Sequence, residues 1–536
     1  MKNIFKLSVM VLAAAFVAGC SQNDDFDSMP AEGDGLLVVR ATASDFASSD
    51  AKNTRIVNEG ANTTFESGDE IGVFAIRSTD NKLVCSNLPL EYKDATNGWT
   101  GNDNKVYFYK NTTYVAYSPY DKNLSISDAE SAADLQAQIK AHFDTKLENN
   151  TYNQLTMYPS LDLMLATAEP ETVEGANDKA LSFSFKHQMA LVEIAVPVKA
   201  YLDESKAFTY AEPFTKEFTL NSTVLEMYPL SIQTTGAADE ADAAAYSLYR
   251  FLVKPATDYT LSGELEYAGK PVTLDNKAVN LSAGTYMKYT IQATNAVSSY
   301  TKRAIAVGDY YYADGSIYPG TSSEPLSDNC VGIIFNTTTT QSEQAAGFIH
   351  GQVLALENIN GTSYCKWSQS TGAPYENNVA ANDDTGKASI LTSFDGYMKT
   401  NAMVDENYTA IKTVREMNPG GTTGWYLPSA GQLVQIFANL AEMEEFSTVN
   451  VVFSEASEQT TKGQKIVNLK NKLEKVGGVF YTQGLNTATQ SERWWSTTEV
   501  SNNQTWAIEM KSNGQVKLLP RDKTANNANI RPVLAF

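Results

Sequence analysis

From residue 36 to residue 292, short apolar runs alternate with polar positions. Leu36 to Ala43 and Ile71 to Ile76 are strand candidates, the second introduced by the turn Ser67-Gly68-Asp69-Glu70. Lys105 to Tyr109 and Thr113 to Tyr117 are aromatic-rich runs joined by Lys110-Asn111-Thr112, which predicts a hairpin. Leu181, Phe183 and Phe185 alternate with Ser182, Ser184 and Lys186, so one face is buried and one is wet. Met189 to Val196 is nearly solid apolar, as in a strand covered on both faces. Leu261 to Tyr267 and Pro271 to Leu274 flank Ala268-Gly269-Lys270, a second hairpin, and Tyr286 to Gln292 closes the block. Strands this short at this spacing predict one or two β-sandwiches. One helix interrupts them. Ser127 and Glu130 form an S-x-x-E capping box ahead of Leu135 and Ile139, and the short, acidic stretch predicts a surface crossing outside the core.

Residues Ala293 to Arg303 lose the strand pattern. Lys302-Arg303 makes a basic, protease-accessible spot there, and a domain boundary is expected near residue 300. The remainder differs in style. Ala306 to Gly315 reads as a strand and turn, and Val331 to Phe335 as a buried strand. Gly424-Trp425-Tyr426-Leu427-Pro428-Ser429 leads into a helix. Ser429 and Gln432 cap it, and Leu433, Ile436, Phe437 and Leu440 form one apolar stripe. A second amphipathic run carries Ile466, Leu469, Leu473 and Val476 and stops at Gly477-Gly478. Trp494 to Thr498, Thr505 to Ala507 and Ile530 to Val533 are strand-like.

The amino end is of another kind. Lys2 and Lys6 precede the apolar run Leu7 to Val17, which is too short to span a bilayer as a mature helix and reads as a secretory signal. Cys20, directly after Ala18-Gly19, resembles the acylated cysteine of the bacterial lipoprotein signal, so lipid on Cys20 is expected to anchor the chain. The polar, acidic stretch after it reads as a tether, in which Asp24 and Asp25 are either a surface-export tag or plain solvated linker. The expected organisation is a signal at 1–19, a tether at 20–35, sandwiches at 36–170 and 171–293, a linker at 294–305 and a last domain at 306–536.

A chain of 536 residues is too long for one core. A formal charge of −21 makes it a poor partner for nucleic acid. With Cys20 lipidated, Cys85, Cys330 and Cys365 remain. They are either free thiols or include one disulfide, for which Cys330 and Cys365 are the candidates. His142, His187 and His350 show no two-histidine metal spacing, and neither a G-x-S-x-G elbow nor a phosphate loop is present. No catalytic constellation, cofactor or metal site is therefore expected. Asn382-Asp383-Asp384-Thr385-Gly386 lacks the ligand spacing of a calcium loop and reads as a surface turn. Trp425, Trp494, Trp495 and Trp506 either fill a core or stack on a sugar ring.

Three landmarks resemble the fimbrillin, or Mfa-like, family of type V pilus lipoproteins. These are Thr54-Arg55 followed by Phe65-Glu66-Ser67-Gly68-Asp69-Glu70-Ile71-Gly72-Val73-Phe74, then Phe185-Lys186-His187-Gln188-Met189-Ala190, then Ser282-Ala283-Gly284-Thr285-Tyr286. The resemblance implies a mainly β chain with two transthyretin-like β-sandwich lobes. The W-x-L-P-S, W-W-S and R-P-V marks at Trp425, Trp494 and Arg531 resemble FISUMP-type domains, an α+β elaboration of the C-type lectin fold. The sugar-reading tripeptides of calcium-dependent lectins are absent, and Asn418-Pro419-Gly420 is a turn. The family implies cleavage after an arginine, with Arg55 and Arg40 as candidates, and donor-strand exchange with other pilus subunits. The expected protein is not an enzyme. It is a surface-exposed lipoprotein of the outer membrane, held there by lipid, and a pilus tip adhesin for a host or bacterial surface ligand such as a glycan. The alternative is a stand-alone glycan-binding lipoprotein that does not polymerise.

Overall fold

The computed structural model describes residues 35–48, 63–94, 98–101, 104–172, 179–214, 216–220, 222–267, 270–275, 278–292, 297–322, 325–359, 361, 363–371, 384–417, 422–443, 446–447, 452–453, 459–480, 491–511 and 515–536. The chain is mainly β and divides into two compact units. One contains the described residues up to Pro197 with Lys216–Gln233 and Tyr246–Ala296; the other contains Val198–Thr215, Thr234–Ala245 and Val297–Phe536.

In the first unit, one sheet runs in the order Leu37–Ala43, Lys179–His187, Met164–Ala168, Thr112–Ser118, Glu70–Arg77, Leu83–Asp94, Gly98–Thr100, with Glu171–Thr172 also paired to Lys179–His187. The period-two reading of residues 181–186 holds: Leu181, Phe183 and Phe185 are buried and the residues between them are exposed. They share a core with Leu37, Val39, Ile71, Val73, Trp99 and Tyr114. Glu70–Arg77 is buried on both sides, and its other face, with Phe74 and Ile76, lies in a second core.

The helix Ala132–Asn149 belongs to that second core, which corrects the expectation of a surface crossing. Leu135, Ile139, Phe143 and Leu147 are buried at a spacing of four and join Phe74, Val115 and Tyr117. Its cap is Ser131, whose side chain accepts from Asp134 N at 3.1 Å. The expected cap Ser127 instead donates to the Asp128 carboxylate. Both serines satisfy the S-x-x-acid pattern, so the pattern alone does not choose between them. The hairpin expected at 105–117 is also corrected. Thr112–Ser118 is a strand, but it pairs with Glu70–Arg77 and Met164–Ala168. Residues 105–109 are tied down by a side chain: Tyr114 Oη donates to Tyr107 O at 2.5 Å and accepts from Tyr109 N at 3.0 Å.

The second sandwich of this unit sets a five-stranded sheet against a four-stranded one. The five-stranded order is Tyr228–Thr235, Ala244–Val253, Ala190–Pro197, Thr285–Thr290, Ala47–Ser48. Ala190–Pro197 is buried at every position, as its solid apolar run predicts. The four-stranded order is Thr223–Val224, Lys216–Leu220, Ser262–Tyr267, Lys270–Asp275, and its Phe218 lies 6.0 Å from Phe251 of the facing sheet.

The second unit is α+β. Six strands run in the order Ile317–Tyr318, Tyr310–Tyr312, Cys330–Asn336, Gln352–Ala355, Val533–Ala535, Trp425–Tyr426. Five more run Phe446–Ser447, Val452–Phe453, Val516–Asp522, Gln504–Lys511, Ser491–Glu499. The helix Ala430–Leu440 carries the capping box read from sequence, with Ser429 N donating to Gln432 Oε1 at 3.0 Å, and its apolar stripe is fully buried. Gln459–Glu474 ends as predicted near Gly477, whose φ of +77° suits glycine, and Gly478 N donates to Leu473 O.

Two expectations near residue 300 need revision. Ser299–Lys302 is no linker: it pairs in parallel with Lys199–Asp203, which also pairs with Phe208–Ala211. Arg303 is not open to protease. Its guanidinium makes a two-point bridge to Asp309 at 2.7 and 2.8 Å and donates to Tyr210 Oη at 2.6 Å. The hairpin from Lys199 to Ala211 belongs to the second unit because Tyr210 is buried with Ile305, Ile317 and Val331.

Candidate functional site

The residues that matter first are those of the leading segment, Leu37 to Ser48. Leu37–Ala43 lies at one end of the first sheet, paired in parallel with Lys179–Phe185. Leu37 and Val39 point into the core, and Val38 and Arg40 point out. Ser44 N then donates to Phe185 O at 3.0 Å. Phe46 turns inward and stacks on His187, with ring centroids 3.8 Å apart. Ala47 N donates to Gly284 O at 2.8 Å, and Ala47–Ser48 pairs with Thr285–Tyr286 at the end of the five-stranded sheet. One continuous stretch thus completes an edge of each of two sheets. Edges left bare would present unpaired N–H and C=O groups.

His187 is structural in this arrangement. It is buried, its Nδ1 donates to Asp162 Oδ1 at 2.8 Å, and its Nε2 lies 3.0 Å from Thr63 Oγ1. His142 sits 3.2 Å from Asp121, and His350 stacks on Phe208, where burial lowers its pKa. Among the described residues, no group of three His, Cys, Asp or Glu side chains is placed to hold a metal. Asp384, from the loop weighed for calcium, opens the helix Asp384–Leu391; residues 382–383 lie outside the described residues, as do Asn418-Pro419-Gly420.

The four candidate contact tryptophans do not form a surface. Trp494 and Trp495 are consecutive on the strand Ser491–Glu499, so they face opposite sides of it, and both sides are covered. Trp494 packs on Phe437 and Phe480, and its Nε1 donates to Glu492 Oε1 at 2.8 Å. Trp495 Nε1 donates to Cys365 O, and Trp425 Nε1 to Thr422 Oγ1. Trp506 is buried in the same core as Trp494. Core filling is therefore the outcome for all four.

The pair Cys330–Cys365 is likewise not joined: Cys85, Cys330 and Cys365 are free. Cys330 belongs to one core of the second unit and Cys365 packs against the other. Burial pushes the Cys85 and Cys330 thiols up to about 12 and that of Cys365 to about 11, which makes them poor nucleophiles. Cys20 and Arg55 lie outside the described residues. Arg40 is exposed, but its backbone is opposite Ser182 within the parallel ladder.

Sequence reading missed a pocket in the second unit. A cavity of about 180 Å³ is lined by Trp367, Ser368, Asp405, Asn407, Tyr408 and Lys523, with Ser370 beside them. Trp367 and Tyr408 meet edge to face at 5.5 Å. Lys523 Nζ lies 5.0 Å over the Trp367 ring and 2.5 Å from Glu499 Oε1, an ion pair whose side chains are only 3% and 6% exposed. Trp367 N and Ser368 N both donate to Lys523 O at 2.9 Å, which fixes the two chain segments together. Asp405 Oδ1 accepts from Asn407 N at 2.9 Å and shapes the rim. No local motif marks these residues, because they come from three separate stretches of chain.

No helix among the described residues is long and apolar enough to cross a membrane. Against known proteins, residues 54–307 match the family described as fimbrillin-like. The chain is 27% identical over 486 residues to "Putative fimbrium tip subunit Fim1C" of Bacteroides ovatus, covering 81% of this chain and 86% of that one. A crystal structure of a fimbrial protein from Bacteroides ovatus has a similar fold, with a TM-score of 0.53 at 21% identity over 94% of this chain and 99% of that one. Residues 54–307 thus match the fimbrillin-like family, on a chain whose fold is similar to that of a fimbrial protein.

Proposed function

We propose that this chain is the tip subunit of a surface fimbrium, one that accepts a strand from a neighbouring subunit and donates none. The observation that carries the reading is the placement of Val533–Ala535. This strand lies inside the six-stranded sheet, between Gln352–Ala355 and Trp425–Tyr426, with Val533, Leu534 and Ala535 buried. Drawing it out as a donor would leave Trp425–Tyr426 unpaired, bare one edge of Gln352–Ala355 and expose its apolar side chains, at roughly 1.5–3 kcal/mol for each large one. Similarity to a fimbrium tip subunit supports the same position.

Acceptance follows from the leading segment. A protease cut after Arg55, with loss of the residues before it, would free the edges of both sheets for an incoming strand. Arg55 is the better of the two arginines, because a cut at Arg40 would have to break into a paired strand and would leave Phe46 behind. Lipid on Cys20 would hold the precursor at the outer membrane before the cut. The second unit, in this reading, is a lectin-like binding domain, and the pocket beside Tyr408 is where it takes a surface ligand such as a glycan.

The expected result of N-terminal sequencing on protein sheared from native cells is a start at Ile56. A start at Cys20 in all of the sheared material, or recovery only with membranes, would contradict strand acceptance.

A further inference from the structure

We propose that the donor strand received by this chain carries an aromatic side chain that replaces Phe46 on the ring of His187. The inference rests on the strand-exchange reading above and adds a sequence requirement on the partner. It starts from what the leading segment does at residue 46. Phe46 is 6% exposed and belongs to the core that includes Met189, Leu163 and Tyr286. Its ring lies 21° from parallel with that of His187. The floor of this site does not leave with the segment: Asp162 and Thr63 both hold His187, and both follow the proposed cut in sequence. Release of the segment therefore empties an aromatic socket whose ring stays oriented by the Asp162–His187 bond, while Thr63 loses the 2.8 Å bond that its N donates to Asp45 Oδ1.

The rim is fixed as well. Gly284 has a φ of +70°, and a Cβ there would come within 3.4 Å of His187 O. Its carbonyl accepts from Ala47 N, so the chain over the socket is held by backbone on the far side too. An occupant must pair with Lys179–Phe185, dip into the socket, then pair with Thr285–Tyr286. The segment that now does so places apolar side chains at 37 and 39 and its ring at 46. A partner's strand with two apolar residues two apart, and an aromatic residue seven positions after the second, fits the same three places. A strand without the ring would leave a buried imidazole face uncovered.

The test uses the full chain with a site-specific protease sequence in place of residues 52–60, nicked there after folding. Fluorescent peptides carrying the sequence of residues 35–50 are added, either unchanged or with Phe46→Ala or Phe46→Tyr, and capture is followed by anisotropy. The unchanged and Tyr peptides are expected to enter, and the Ala peptide to bind about tenfold or more weakly. Equal capture of the Phe and Ala peptides would overturn the socket while leaving strand exchange standing. Capture of none of the three would remove the strand-exchange reading, and the socket with it.

Discussion

Glu499→Ala is expected to destabilise the second unit by about 3–5 kcal/mol, because it leaves a buried lysine without its counter-ion. Lys523 is 3% exposed, and Glu499 Oε1 is 2.5 Å from its ammonium group. An ammonium removed from water and deprived of its carboxylate drags solvent into the core. That disturbs the wall of the pocket, since Lys523 O is the acceptor for Trp367 N and Ser368 N. The double variant Glu499→Leu with Lys523→Met removes both charges and is expected to recover most of the loss. Denaturant melts followed by tryptophan fluorescence would show this. Equal melting of Glu499→Ala and the parent would mean that the pair is not shielded from water as described.

Phe143→Ala is the second large effect, at about 3–5 kcal/mol, and it falls on the first unit. Phe143 is fully buried, 5.8 Å from the ring of Tyr117. It sits mid-stripe on the only face by which Ala132–Asn149 covers the sheet. Truncation leaves a hole between helix and sheet that rigid strands cannot close. Hydrogen exchange should accelerate in residues 132–149 and 112–118, with the second unit unchanged. A change below about 1 kcal/mol would return the helix to the surface role that its acidic sequence suggests.

Why that helix misleads is instructive. Its buried face is a single row at a spacing of four, and the remaining faces carry Lys140, Asp144, Lys146 and Glu148. The average along the chain is polar although the row is not. By contrast, Leu181, Phe183 and Phe185, the Ser429–Gln432 cap and the stripe from Leu433 to Leu440 are set by neighbours a few residues away. Local periodicity makes them legible. The other misplaced features depend on distant partners. Trp494 and Trp495 look alike in sequence and face different cores only because the strand is covered on both sides. The Lys199–Ala211 hairpin needs Ser299–Lys302 as its third strand, nearly a hundred residues on. The pocket needs Trp367, Tyr408 and Lys523 together, and no period or motif encodes that meeting. On the first sheet, Leu36 to Ala43 was legible as a strand. That it lies parallel at an edge, continuous with the Phe46 socket, was not.

The same long-range bonding decides how the tip assignment is best tested. Deleting residues 301–536 would strip Tyr201, Phe208 and Tyr210 of the core they pack against, so loss of binding could be mere misfolding. The position of the intact chain in the filament is the more direct observable. Gold-labelled antibody against the second unit, applied to fimbriae sheared from native cells, should mark one end of each filament. Label repeated along the shaft would show that the chain both accepts and donates strands, and would contradict the account.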